Sequence, residues 1–107
     1  MTVEIDINQL ADVATSGGTV VDVREPAEYV AGHVPGAVLI PMGQLPDRLA
    51  ELDREAPVYV LCASGNRSAA MTDFLRSAGF DAYSVAGGTG AWARSGQPVV
   101  AGTAARP

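Results

Sequence analysis

Apolar residues along this chain fall into short β-branched runs and helically spaced stretches that alternate. "IDINQLADVA" places Ile7, Leu10, Ala11 and Ala14 on one side of a helix, and "SGG" at 16–18 stops it. "TVVDV" (19–23) is short and β-branched, as suits a strand covered on both faces. "EPAEYVAGH" reads as a short helix with Pro26 in its first turn. "GHVPGA" reads as a turn, and "AVLIP" (37–41) as a second buried strand. "GQLPDRLAEL" spaces Leu45, Leu49 and Leu52 for a helix, and "PVYVL" (57–61) is a third strand. "RSAAMTDFLRSAG" predicts a helix with Ala70, Phe74 and Ala78 on one face beside Met71 and Leu75. Gly79 suits the position just past its end. Leu75 and Phe80 have the spacing of the hydrophobic contact that closes such an ending. "DAYSV" (81–85) is a fourth strand, "GTGAWARSG" a short last helix, and "AGTAARP" (101–107) a loose tail.

Strands that alternate with helices imply an α/β fold with a mostly parallel central sheet of about five strands and helices on both faces. With 107 residues, no repeat and no internal linker, the chain fits one domain (1–107), its core running from about 5 to 100. The hydrophobic share of 48% is enough for a core and excludes disorder by composition. A net charge of −5 argues against nucleic acid as a partner, since that needs a cationic surface. No apolar run has the length of a membrane span, so no membrane partner is expected. The opening "MTVEIDINQL" has neither the basic nor the apolar region of a signal peptide. A single cysteine forms no internal disulfide, and a reducing, cytoplasmic setting is the simplest expectation.

That cysteine, Cys62, ends the third strand in "VLCASGNRS" (60–68), where open α/β sheets place ligands. A helix begins a few residues later, with free backbone N–H groups and the positive end of its dipole. The small residues Ala63, Ser64, Gly65 and Asn66 let the loop curl with those groups turned inward. Such a ring of donors stabilises a thiolate, and Arg67 adds a fixed positive charge. The competing reading is a buried cysteine that serves as a small hydrophobe. A packing cysteine, however, has no need of a glycine-containing loop and a helix start.

Three stretches in order resemble the rhodanese family, in particular its single-domain sulfurtransferases. "VVDVREPAEYVAGHVPGAVLIP" (20–41) is similar to the family's first signature, "VLCASGNRS" to its active-site loop, and "VAGGTGAW" (85–92) to its closing Gly-Gly and Trp element. The resemblance covers about Ile5 to Val100. It implies a rhodanese-like fold and a persulfide mechanism with Cys62 as nucleophile. The sulfur is taken from thiosulfate or a persulfide and passed to cyanide or a thiol. The resemblance also implies that the backbone N–H groups of Ala63, Ser64, Gly65, Asn66, Arg67 and Ser68 cradle the sulfur with no resident cofactor, while one Cys and one His offer too few soft ligands for a metal site. Small molecules, or a protein donor or acceptor, are the implied partners. Phosphatases related to this fold carry Cys-x5-Arg, whereas Cys62 to Arg67 is one residue shorter, which favours one sulfur atom over a phosphate. Ala63 stands where some thiosulfate-specific members carry a basic residue, so thiosulfate is expected to be a poor donor. The alternative from another class is a non-catalytic rhodanese-fold binding or regulatory module.

Other residues carry two readings. Asp22 and Arg24 either steer anions at the loop or form a structural ion pair, with Arg24 and Glu28 at helical spacing. His33 either forms a dyad with Cys62 or, as the resemblance implies, is structural. "GGTGAWA" (87–93) fits a degenerate dinucleotide fingerprint, but the chain ends too soon for the next strand and its acid. A tight turn with Trp92 as core anchor is the simpler reading.

Overall fold

A computed structural model describes residues 2–16 and 18–106. Five parallel strands form one sheet in the order β1-β5-β4-β2-β3. In chain order these are β1 (Glu4–Ile5), β2 (Thr19–Asp22), β3 (Val38–Leu39), β4 (Val58–Leu61) and β5 (Ala82–Val85). The helices are α1 (Ile7–Thr15), α2 (Pro26–Ala31), α3 (Asn66–Ser77) and α4 (Gly88–Arg94), with a 3₁₀ helix at Leu45–Glu51. The α/β expectation therefore holds, with every strand pairing among the described residues parallel. β4 lies at the centre, between β5 and β2.

Alternation along the strands divides the core in two. Val58, Val60 and Cys62 point to one face with Val21, Val23, Leu75 and Phe80. Leu61 and Val20 point to the other with Leu10, Val85 and Trp92. The 3₁₀ helix and α3 cover the first face; α1 and α4 cover the second.

Several expectations need correction. Ile5 belongs to β1, a strand too short to show in the pattern. Asp6 caps α1 instead: its carboxylate accepts from Gln9 N–H at 2.8 Å, while the Gln9 side chain accepts from Asp6 N–H at 2.9 Å. Ser16 caps the end of α1; of the expected stop at 16–18, Gly17 lies outside the described residues. "AVLIP" is not a doubly buried strand. β3 is two residues long at the sheet edge, and Val38 is half exposed. Over 45–51 the chain takes the tighter 3₁₀ form, broken at Arg48 (φ −120°, ψ 20°). On α3, the fully buried positions are Ser68, Thr72 and Leu75, while Ala70 is exposed. Its ending is as expected: Gly79 has φ +93°, Phe80 N–H donates to Leu75 O at 3.0 Å, and Gly79 N–H to Arg76 O at 3.1 Å. The tail is not loose over its described length. Gly102 N–H bonds Val30 O at 2.8 Å, and Ala105 O accepts from Gly36 N–H at 2.9 Å. The end of α2 and the turn at 32–37 leave backbone groups with no sheet neighbour, and the returning chain supplies partners.

Candidate active site

Cys62 follows the last residue of β4, so it stands at the carboxyl edge of the central strand. From there the chain turns through Ala63, Ser64 and Gly65 into α3. Gly65 is the cap residue, with φ +114° and ψ −11°. A side chain there would meet nothing closer than 3.6 Å, so glycine is required by backbone conformation rather than by space. In that conformation Gly65 N–H points at Cys62 Sγ, 3.0 Å away. The Ser68 hydroxyl, from the first turn of α3, lies 3.5 Å from the sulfur. Burial pushes the thiol up. The Ser68 hydroxyl and the N–H groups of Ser68, Gly65 and Ser64 outweigh burial and bring the thiol below its ordinary value.

The loop is braced from the second face. Thr89 N–H donates to Cys62 O at 2.9 Å and Gly90 N–H to Ala63 O at 3.0 Å. A β-carbon on Gly88 would stand 2.3 Å from Cys62 O, and one on Gly90 would stand 3.1 Å from Ala63 O. The glycines of "GGTGAW" thus let α4 press on the loop carbonyls, which leaves the loop N–H groups free for sulfur. The local pattern shows a tight turn here, but the closeness of these glycines to Cys62 in space leaves no trace in it.

The sequence candidates separate. Cys62, Ser64, Gly65 and Ser68 converge at the sulfur. Ala63 serves through its carbonyl, and Asn66 is exposed where α3 begins. The Arg67 guanidinium makes two hydrogen bonds to Glu28, at 2.7 and 2.9 Å. This pairing holds the Glu28 carboxyl, with help from Glu25 N–H, down from 4.5 to about 2, and holds Arg67 above its ordinary range. Arg24 does not pair with Glu28. It closes a buried fork on Asp22 (2.8–3.1 Å) and bonds Gly32 O. His33 is wholly buried with its ring nitrogens 2.8 Å from Tyr29 O and from Ala104 O, and it stacks on Tyr29; it makes no dyad with Cys62. Trp92 is a core anchor, its indole N–H on Pro98 O at 2.7 Å. Cys62 itself is closed off from solvent, 1% exposed. Glu28 and Ser84, the latter 2.8 Å from Ser68 Oγ, were not singled out as site residues.

Residues 6–95 match the family model of the rhodanese-like domain. The chain belongs to that family. As a rhodanese-like domain it is 36% identical over 104 residues to a sulfurtransferase of Allochromatium vinosum, covering 94% of this chain and 97% of the relative. The crystal structure of a rhodanese-related protein from Thermoplasma volcanium superposes with a TM-score of 0.86 at 37% identity, covering 92% of this chain and 97% of that one. A thiosulfate sulfurtransferase from Pseudomonas aeruginosa gives 0.86 at 28% identity over 94% of this chain, which spans 20% of that larger protein. Among the described residues, no helix is long and apolar enough to cross a membrane.

Proposed function

We propose that this rhodanese-like domain is a sulfurtransferase whose Cys62 carries sulfane sulfur as a persulfide. The observation that carries this reading is the Cys62 sulfur, met by Gly65 N–H at 3.0 Å and by the Ser68 hydroxyl at the end of the central strand. The Cys62 thiolate attacks the outer sulfur of the donor. A new S–S bond forms, the donor's own S–S bond breaks, and the electron pair leaves with sulfite (from thiosulfate) or with a thiolate (from a persulfide). Cyanide or an acceptor thiolate then attacks the outer sulfur of Cys62–S–S⁻ and releases the Cys62 thiolate. The loop N–H groups stabilise the charge on sulfur in both states, so no general base and no resident cofactor is required.

Ala63 is uncharged, and Arg67 is neutralised by Glu28. A small-molecule or protein persulfide therefore suits the site better than the thiosulfate dianion. A free thiol used in this way suits a reducing, cytoplasmic compartment. Incubation with a sulfane donor followed by intact mass measurement is expected to show one added sulfur, absent in Cys62→Ser. No adduct with thiosulfate or any persulfide would sink the proposal. Sulfur transfer to cyanide above the Cys62→Ala background separates it from a non-catalytic module.

A further inference from the structure

A serine stands on β5 where an apolar residue would fill the core. The strand period turns Ala82 and Ser84 to the face of Cys62 and α3, and Val85 to the opposite face. Ser84 is wholly buried, and its Oγ lies 2.8 Å from Ser68 Oγ. Ser68 Oγ in turn lies 3.1 Å from Gly65 O and 3.5 Å from Cys62 Sγ. A buried hydroxyl is costly unless it is bonded, so a serine pair here needs a reason.

We propose that Ser84 is a positioning residue for the Cys62 thiolate, acting through Ser68: it donates its proton to Ser68 Oγ, which leaves the one proton of Ser68 free for the sulfur. The proposal rests on the reading of Cys62 as the nucleophile.

The proton count sets the direction. A hydroxyl has one proton and two lone pairs. Were Ser68 to donate to Ser84, the sulfur would receive nothing from it. With Ser84 as donor, one Ser68 lone pair is filled. While Cys62 is a thiol, its S–H fills the other, and Ser68 donates to Gly65 O. When Cys62 ionises, the Ser68 O–H turns to the sulfur. Gly65 O is not orphaned by that turn, because Ala69 N–H also donates to it at 3.1 Å. Gly65 O therefore keeps a donor in both states, so the thiolate gains a donor at low cost. Ser84 also polarises the Ser68 O–H, since hydrogen bonds in a chain strengthen one another. The charged groups around the loop are Arg67 on α3 with Glu28 on α2, Asp22 with Arg24 at the end of β2, and Arg94 of α4 beside Gly90. Substitution at 84 alters none of them.

The pH dependence of iodoacetamide alkylation at Cys62 tests this without any sulfur donor, so its outcome is separate from whether Cys62 accepts sulfur. In Ser84→Ala the midpoint is expected to rise by about 0.5 unit, which is about threefold slower alkylation below both midpoints. Ser68→Ala should raise it at least as far. Ser68→Ala with Ser84→Ala should go no further than Ser68→Ala alone, because the second serine acts through the first. The isosteric pair Ser84→Thr and Ser84→Val separates the hydroxyl from packing: threonine should stay near wild type, and valine should shift upward. An unmoved midpoint in Ser84→Ala, additive shifts in the double variant, or equal midpoints for threonine and valine would overturn the proposal.

Discussion

The acidity of Cys62 is decided by an opposition between desolvation and hydrogen bonding at one sulfur atom. Burial disfavours the thiolate, and the Ser68 hydroxyl with three backbone N–H groups favours it by more. Gly65 is the residue on which that balance turns, because its φ of +114° aims one of those groups. Gly65→Val puts a β-branched side chain into a left-handed conformation, at a cost of about 1–3 kcal/mol. The loop is expected to relax and turn its N–H away. The wild-type alkylation midpoint should lie below the free-thiol value of about 8.5, and that of Gly65→Val should approach it. A wild-type midpoint at or above the free-thiol value would contradict the cradle. The sharp curl was legible in the small residues of "CASGNRS", since a chain that leaves a strand and enters a helix in so few residues must turn sharply. The burial of the sulfur was not, because it depends on what α4 and β5 lay against the loop.

Between elements, the Glu28–Arg67 pair fastens α2 to α3 beside the loop. Each side chain is 35% exposed, so solvent screens the pair and its worth at neutral pH is about 0.5–1 kcal/mol. The folded-state value of Glu28 is depressed, from 4.5 to about 2. The stabilisation is therefore fully present above pH 4.5 and is lost as pH falls toward 2. Urea unfolding of wild type and Glu28→Gln across this window is expected to show a gap that is constant at neutral pH and closes on the acid side. A gap unchanged at pH 2 would show that Glu28 acts by packing instead. The sequence offered Arg24 as the partner of Glu28 through helical spacing. That rule applies only within one helix, and Arg24 precedes α2 and turns back to Asp22.

Across the whole molecule, the returning chain after α4 closes the side of the fold that holds His33. Val100 and His33 exchange backbone hydrogen bonds at 2.8 and 2.9 Å, and Ala104 O meets the buried imidazole at 2.8 Å. A chain ended at Gly102 loses that partner and the one for Gly36 N–H. Such a truncation is expected to lower stability by about 1–3 kcal/mol, read as a lower urea midpoint with an unchanged slope. An unchanged midpoint would mean that water replaces these bonds without loss. Small, polar "AGTAARP" has the composition of a free end. Over 101–106 it is held by what it meets rather than by its own propensity.

What the sequence determined by itself is what neighbours along the chain impose. Short β-branched and apolar runs set β2, β4 and β5, helical spacing set α1 and α3, and Gly79 marked the end of α3. The place of Cys62 at the end of β4 follows from the same patterning. Tertiary structure alone decided the partners: Arg67 with Glu28 across 39 positions, Ser68 with Ser84 across 16, and His33 with Ala104 across 71. It also decided that β3 is an edge and that α4 braces the loop. The physical reason is one of degeneracy. Backbone sterics and hydrophobic period leave few local choices, whereas an arginine, a serine or a histidine has many chemically equal partners along the chain. The order β1-β5-β4-β2-β3 brings one of them within reach.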